Sequence, residues 1–248
     1  MPLQTFVIVT AYNEADRIAA TLQALASVFP QAQVLLADDG STDGTARIAA
    51  ALGARVVRSE RTVGKGEAAT LAAREALGVA SAELGGDEAV FVLCDGDLGA
   101  SAGELVVLAA AVERGEADLA VAAFSRRVGG GFGFALGFAH WAIRRRCGLR
   151  TTAPISGQRA LSARMLAEVL PFAHGFGMEI GMTVDAVRAG ARVAEIELDL
   201  EHRASGMTLA GFAHRARQLA DFVRVYFARG QLVARLRLAR ARGSLARR

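Results

Sequence analysis

The chain has 248 residues, of which 52% are hydrophobic and 22% are charged, and its formal net charge is +4. This apolar content excludes a disordered chain and is sufficient for a large hydrophobic core. Two cysteines exclude a disulfide framework and a four-cysteine zinc site, and they favour a reducing compartment. The first residues lack a signal-peptide pattern, and no run reaches the roughly 18–20 apolar residues of a membrane span. We therefore expect a cytoplasmic protein, not a secreted, fibrous or membrane-spanning one.

Basic residues are distributed unevenly along the chain. Residues 203–248 contain eleven arginines and one acidic residue, a charge of +10, so residues 1–202 carry −6. A basic tail on an acidic body indicates an anionic partner, such as a membrane surface or a nucleic acid. Aromatic residues, at 6%, are few for stacking on bases, so we expect no nucleic-acid partner. Lys65 is the single lysine among 29 basic residues, which marks that position as chemically special.

Strands and helices alternate through the first half of the chain. The pattern predicts strands at 6–10, 34–37, 55–58, 89–94 and 118–123, and helices at 14–28, 45–52, 66–79 and 102–113. Continuous apolar strands between helices predict a mostly parallel α/β sheet covered on both faces. The second half predicts helices ending near 146 and at 162–170, 179–189 and 209–228, with an alternating strand at 192–202. We expect one domain over residues 1–205 and a basic, amphipathic helical tail over residues 206–248.

Polar residues follow three of the strands at their carboxyl ends, the edge where open α/β sheets bind ligands. The segments are TAYNE at residues 10–14, DDGSTDGT at residues 38–45 and DGD at residues 95–97. Each alone is typical of a turn and a helix cap. Together they bring the carboxylates of Asp38, Asp39, Asp95 and Asp97 to one edge, where a cation or a hydrogen-bonding ligand must offset their repulsion. Asp95 and Asp97 can present oxygens to one hard divalent ion that takes its other ligands from substrate phosphates.

These three segments, in this order and at these separations, resemble glycosyltransferase family 2, whose fold is GT-A. Ala11 stands where the family more often has proline, and Asp95-Gly96-Asp97 resembles its D-x-D metal motif. The resemblance covers roughly residues 5–205. It implies a Rossmann-like domain that transfers a hexose, with a nucleotide-sugar half over residues 1–100 and an acceptor half over residues 101–205. It also implies Mg²⁺ or Mn²⁺ on the donor diphosphate at Asp97, and a nucleotide-diphosphate sugar bound at Thr10, Ala11, Tyr12, Glu14, Asp38, Asp39, Asp95 and Gly96.

A glycine-flanked lysine opens the predicted helix at 66–79. The segment VGKGEA at residues 63–68 lacks the spacing of a Walker A loop, but its amides and the Lys65 ammonium can meet an anion. The family resemblance implies that Lys65 contacts the nucleotide. The alternative is a helix start capped by glycine. As a nucleotide contact, Lys65 is expected to be exposed.

Two segments in the second half resemble dolichyl-phosphate mannose synthases. They are FSRR at residues 124–127 and PISGQRA at residues 154–160, where Gln158 replaces an aromatic residue. The resemblance implies that the acceptor phosphate is held by Arg126, Ser156, Gly157 and Arg159, a role that suits the guanidinium fork. The alternative is that these arginines cap helices or pair with the acidic body.

Two further segments resemble glucosyl-3-phosphoglycerate synthases. They are FGMEIG at residues 176–181 and LEHR at residues 200–203. This resemblance implies that Glu179 lies beside the reacting sugar as a catalytic residue, together with Asp97, and that His202 completes the metal site. The alternative for a lone histidine is a structural role.

The favoured hypothesis is a hexosyltransferase with a phosphate-bearing acceptor. A phosphate oxygen is already anionic and needs no general base, and the basic tail favours a polyprenyl phosphate at the cytoplasmic face of a membrane. A soluble acceptor such as phosphoglycerate is the second hypothesis. A nucleotidyltransferase and a non-catalytic adaptor are weaker alternatives, because the first lacks its glycine-rich loop and the second leaves the acidic strand ends unexplained. A homodimer is left open.

Overall fold

A computed structural model describes residues 3–84, 88–124, 134–200 and 218–228. Within these residues, one sheet contains seven strands in the order β3-β2-β1-β4-β6-β5-β7. Only β6 is antiparallel to its neighbours among the described strands, so the predicted mostly parallel sheet is confirmed. The strands are β1 Gln4–Ala11, β2 Gln33–Asp38, β3 Arg55–Arg58, β4 Ala89–Asp95, β5 Leu119–Phe124, β6 Arg159–Ser162 and β7 Val193–Leu198.

Helices flank the sheet on both faces, and the predicted helix at 102–113 begins as a 3-10 turn, Gly99–Leu105. A second 3-10 turn, Gly175–Gly177, precedes the helix that carries Glu179. None of the helices in the described residues is long and apolar enough to cross a membrane. The α-helices are α1 Ile18–Val28, α2 Thr45–Ala51, α3 Lys65–Leu84, α4 Val106–Glu113, α5 Phe134–Cys147, α6 Ala163–Val169, α7 Met178–Arg188 and α8, residues 218–228.

The central strands bury both of their faces, which explains why they are continuously apolar. In β1, Val7 and Val9 pack into the core under α1 and α4, whereas Phe6 and Ile8 pack into the core under α3 and α6. The Phe6 ring stacks on Phe91 of β4 at a centroid distance of 5.2 Å. A third core lies between α5, α7 and α8. Because helices cover both faces of the sheet, we expect ligands to bind at the carboxyl ends of its strands.

The structure differs from the sequence prediction most at β6, a strand that the sequence pattern did not indicate. Its four residues, RALS, are too few to show an alternating pattern, and Ser162 also caps α6 by accepting a hydrogen bond from the amide of Met165. The segment therefore resembles a helix start. It becomes a strand because it is hydrogen-bonded between β4 and β5. Of the predicted helix at 209–228, residues 218–228 are described and helical, and the rest of the predicted tail lies outside the described residues.

Candidate active site

The carboxyl ends of β1, β2 and β4 meet closely at one edge of the sheet. The amide of Gly96 donates to the carbonyl of Thr10 at 2.9 Å, and the amide of Asp39 donates to the carbonyl of Ala11 at 3.0 Å. A Cβ at position 96 would lie 3.1 Å from the Cβ of Ala11, a tighter contact than is usual, so the close approach favours glycine. The structure thus brings together the three segments that the sequence singled out.

The loop after β1 is fastened to the loop after β2. Asn13 adopts a left-handed backbone with φ 56°, and its amide donates to Ser41 Oγ at 2.9 Å. The amide of Glu14 donates to Thr45 Oγ1 at 2.8 Å. These bonds hold the Tyr12 side chain outward, where it is 48% exposed. The loop therefore presents an aromatic ring at the rim of the sheet edge, where it is free to stack on a planar ligand.

The two aspartates after β2 serve largely internal contacts. Asp38 is fully buried; its Oδ1 accepts a hydrogen bond from the amide of Ser41 at 3.0 Å, and its Oδ2 lies 3.4 Å from Arg58 Nε. Asp39 Oδ1 accepts from the amides of Val63 and Gly64 at 2.7 and 3.0 Å. Asp39 therefore fixes the glycine-lysine loop against the end of β2. Asp38 Oδ2 accepts no hydrogen bond from the described residues and keeps acceptor capacity.

Lys65 lies between two carboxylates from different parts of the chain. Its Nζ is 2.7 Å from Asp95 Oδ1 and 2.8 Å from Glu179 Oε1. The side chain of Lys65 is 22% exposed, so the expectation of an exposed lysine was wrong: the loop folds inward because two acids face it. Burial opposes the charged form, but the charges of Asp95 and Glu179 outweigh burial and raise the pKa of Lys65 above its ordinary value. Lys65 is therefore a permanent cation of the site.

Asp95 contacts three protein donors, Lys65, Thr10 and Gln158. Thr10 Oγ1 donates to Asp95 Oδ1 at 3.0 Å, and Gln158 Nε2 donates to Asp95 Oδ2 at 2.8 Å. Burial would raise the pKa of Asp95, but Lys65 and these hydrogen bonds lower it below the usual range. Gly157 completes the close packing, since a Cβ there would lie 2.7 Å from both Asp95 Oδ2 and Lys65 Nζ.

Asp97 is the strand-end carboxylate that remains available. Among the described residues, its side chain has no hydrogen-bond or ion-pair partner, while its carbonyl accepts from Arg17 at 3.2 Å. No group of three histidine, cysteine, aspartate or glutamate side chains forms a metal cluster within the part of the chain that the structure describes. A half-buried carboxylate without a partner fits Mg²⁺ or Mn²⁺ that takes most of its ligands from a diphosphate.

Arg159 and Ser156 lie beneath the site. Arg159 is 1% exposed; its Nε donates to the carbonyl of Ser156 at 2.8 Å and one terminal nitrogen donates to Thr183 Oγ1 at 2.9 Å. The other terminal nitrogen is buried without a partner among the described residues. Burial lowers the pKa of Arg159 to about 10, against the opposing charges of Glu179 and Glu195. The buried Arg159 side chain thus holds the backbone of Ser156 in place.

Two of the predicted site residues, Arg126 and His202, lie outside the described residues. Glu179 is 4% exposed at the first turn of α7, with its carboxylate turned to Lys65. The sequence did not indicate that Gln158 is the partner of Asp95. Its position within the acceptor segment, where an aromatic residue was expected, was the available signal, but the contact with Asp95 depends on the pairing of β6 with β4.

Comparison with known proteins places this arrangement in a family. The model of glycosyl transferase family 2 matches residues 6–170. An undecaprenyl-phosphate mannosyltransferase from Micrococcus luteus is 31% identical over 223 residues, which cover 82% of this chain and 86% of the relative.

Solved structures show the same fold. Two crystal structures of glucosyl-3-phosphoglycerate synthase from Mycobacterium tuberculosis each align with a TM-score of 0.71 at 25% identity, over 92% of this chain and 79% of that chain. One contains Mn²⁺, UDP-glucose and phosphoglyceric acid, and the other contains Mg²⁺ and UDP. The fold is therefore the GT-A type that the sequence predicted. With a family match over most of its length, the chain belongs to glycosyltransferase family 2 and is a glycosyltransferase.

Proposed function

We propose that the protein transfers a hexose from a nucleotide-diphosphate sugar to a polyprenyl phosphate, with a divalent metal. The observation that carries this proposal is the division of charge at the sheet edge. Lys65 is held by Asp95 and Glu179, whereas the Asp97 carboxylate has no partner within the part of the chain that the structure describes. An ammonium group and a metal ligand at one edge suit a diphosphate.

The donor would lie across the ends of β1, β2 and β4. The Tyr12 ring is exposed for the base, while Thr10, Ala11 and Glu14 line the loop around it. Asp38 and Asp39 would accept hydrogen bonds on the nucleoside side, and Asp38 Oδ2 has the capacity to do so. The diphosphate would then approach Lys65 and the close Gly96 backbone.

Mg²⁺ or Mn²⁺, held by Asp97 and His202, would stabilise the charge that develops on the departing diphosphate. Lys65 adds a second positive charge there, and its raised pKa keeps it protonated, so it acts electrostatically and not as a base. Glu179, which contacts Lys65, would orient it and would accept a hydrogen bond from the sugar. The acceptor phosphate supplies its own anionic nucleophile, so the site needs no general base.

The acceptor would approach Ser156 and Gly157, with Arg126 as its phosphate ligand and Arg159 as support from below. The M. luteus relative, whose name specifies undecaprenyl phosphate, favours a lipid acceptor. A soluble phosphoglycerate acceptor is the second candidate, because the glucosyl-3-phosphoglycerate synthase structures align over 92% of this chain.

Donor and acceptor are tested together by measuring sugar transfer from UDP- and GDP-sugars with Mg²⁺, Mn²⁺ or EDTA. Undecaprenyl phosphate in detergent and 3-phosphoglycerate are supplied as rival acceptors. We expect metal-dependent transfer to the lipid phosphate only. Transfer to 3-phosphoglycerate alone would replace the lipid acceptor, and full activity in EDTA would remove the metal from the proposal.

A further inference from the structure

An exposed aromatic surface lies on α5 and α8, and the transfer chemistry does not use it. Trp141 and Phe227 are 49% and 60% exposed. Together with Phe138 and Tyr226 they form what we call the aromatic patch. Its rings are in continuous contact, with centroid distances of 5.5 Å from Phe138 to Trp141, 4.8 Å from Trp141 to Tyr226 and 5.3 Å from Tyr226 to Phe227. Single exposed apolar residues are ordinary, but a contiguous group marks an interaction surface.

The patch sits on helices that are anchored from behind. Ala139 and Ile143 of α5 and Phe222 of α8 are fully buried, and they pack with Ile180 and Val184 of α7 in the third core. The aromatic rings therefore project from a fixed platform. The rings are exposed although α5 and α8 are firmly packed on their other side.

Arginines of α5 flank the patch. The α5 sequence, FALGFAHWAIRRRC, contains no acidic residue and ends in Arg144, Arg145 and Arg146. Arg144 and Arg145 are exposed, while the guanidinium carbon of Arg146 lies 3.8 Å above the ring of Tyr226. Tryptophan, tyrosine and arginine side chains commonly anchor a protein at the headgroup level of a bilayer. Arginines suit anionic lipid in particular.

The patch is one helix away from the active site. Asp221 of α8 accepts a hydrogen bond from the amide of Phe176 at 3.2 Å, and Val225 packs so closely that a Cβ at Gly177 would lie 2.1 Å from it. These contacts place α8 on the turn that leads directly to Glu179 in α7. A surface docked through the patch would thus lie beside the acceptor half.

We propose that the aromatic patch and Arg144–Arg146 dock the enzyme on the surface of an anionic bilayer, which presents a lipid-borne acceptor to the site. This inference rests on the proposed lipid acceptor for its purpose, but the docking itself is measured independently of catalysis.

Trp141 is the single tryptophan of the chain, so its fluorescence reports on the patch directly. The full-length protein is mixed with vesicles of phosphatidylcholine, with or without phosphatidylglycerol. We expect a blue shift of the emission with the anionic vesicles, quenching by lipids brominated near the headgroup, and weakening at high salt. Emission that is unchanged by anionic vesicles overturns the proposal.

Two surface variants test the residues that carry the docking. Phe227→Ser removes an exposed ring and Arg145→Glu reverses an exposed charge, and each should lower vesicle affinity by roughly tenfold or more. The matched control changes one apolar and one basic residue on α3: Leu71→Ser, where Leu71 is 46% exposed, and Arg74→Glu, where Arg74 is exposed. The control variants should bind vesicles as the wild type does. Equal binding by the patch variants and the wild type contradicts the proposal.

Other occupants of the patch give different results. If a second copy covers it, light scattering will show a dimer that Phe227→Ser dissociates, and vesicles will leave Trp141 unaffected; that outcome overturns the proposal. Failure of the proposed function is separable, because it would appear as wild-type protein that inserts Trp141 into vesicles yet transfers no sugar to a lipid phosphate.

Discussion

The strand-end carboxylates differ in the partners that the protein gives them. Asp38, Asp39 and Asp95 each accept hydrogen bonds from protein groups, whereas Asp97 has no such partner among the described residues. The sequence led us to expect that a ligand or a cation would have to offset the repulsion of all four. Protein groups such as backbone amides, Arg58, Lys65 and Gln158 offset much of it instead, so we propose Asp97 as the carboxylate that binds the metal.

The substitution Asp97→Asn tests whether Asp97 binds the metal. The amide keeps the size of the side chain and removes the charge, so we expect transfer to fall to background, together with the metal-dependent part of nucleotide binding. The free energy of unfolding should stay within about 0.5 kcal/mol, because the structure gives the carboxylate no partner in residues 3–84, 88–124, 134–200 and 218–228. Isothermal titration of UDP or GDP with and without Mn²⁺ measures the effect. A variant with wild-type activity would show that Asp97 does not hold the metal.

Lys65→Met tests the cation between Asp95 and Glu179. In the wild type the lowered pKa of Asp95 contributes stability above its ordinary value of about 3.9, and this contribution is lost as pH falls through the lowered pKa. Without Lys65, burial raises the pKa of Asp95. The variant should therefore be less stable by about 3 kcal/mol near pH 7, and the difference should shrink as pH falls from the raised pKa of Asp95 in the variant toward its lowered pKa in the wild type.

Urea unfolding of both proteins in EDTA at several pH values measures this difference. Lys65→Arg is the control: it keeps the charge, so the shape of the pH profile should remain while donor binding weakens. A stability difference that does not change with pH would mean that Lys65 contributes packing alone.

Residue-level prediction succeeded where the chemistry is local. The segments around Tyr12, Asp39 and Asp97 lie together because each directly follows a strand, and the strands could be recognised from their apolar runs. Gln158 could not be assigned in this way. Its hydrogen bond to Asp95 depends on a register between β4 and β6 that no local pattern specifies.

At the scale of elements, the start of α3 is pressed against the turn before α7. A Cβ at Gly66 would lie 1.9 Å from the carbonyl oxygen of Ala173. Gly78 belongs to the same helix and has nothing within 4 Å of its Cβ position. Substitution of Gly66 therefore tests the close packing of α3, and substitution of Gly78 tests helix propensity alone.

Gly66→Ala should destabilise the protein by about 1–3 kcal/mol, because the Ala173 backbone must move. It should also weaken donor binding, since Lys65 precedes it and Glu179 follows that turn. Gly78→Ala should instead stabilise by about 0.5–1 kcal/mol through helix propensity alone. Thermal unfolding measures the stability of both variants, and nucleotide titration measures their donor binding. Equal stability of the two variants would contradict the close contact at Gly66.

The elements themselves were predicted unevenly. Strands β1 to β5 and most helices follow from apolar runs and helical periodicity, with ends displaced by a few residues. The start of α1 was predicted at Glu14 but lies at Ile18, because Asn13 turns left-handed and the amide of Glu14 bonds to Thr45. Strand β6 was missed because its neighbours in space, β4 and β5, are distant in sequence.

For the whole molecule, the basic tail remains a prediction. Deleting residues 231–248 removes six arginines, which should each contribute about 1 kcal/mol near an anionic surface at low salt. We expect weaker binding to anionic vesicles and slower transfer to a lipid phosphate. Donor hydrolysis should be nearly unchanged, because the strand-end residues remain. Vesicle sedimentation over a range of salt concentrations measures the effect. If the truncated protein binds vesicles as well as the full chain does, the tail does not contribute to membrane binding.

The antiparallel position of β6 has a consequence for biosynthesis. A ribosome releases β1 to β4 before β6 exists, so one edge of β4, between Ala89 and Cys94, must wait without its neighbour. Apolar strand edges of this kind are where nascent chains aggregate or recruit chaperones. When Arg159 pairs with Leu93, Gln158 reaches Asp95 in the same movement. The arrival of β6 therefore covers this edge of β4 and brings Gln158 to Asp95 in one step, whereas Glu179 and β7 follow later in the chain.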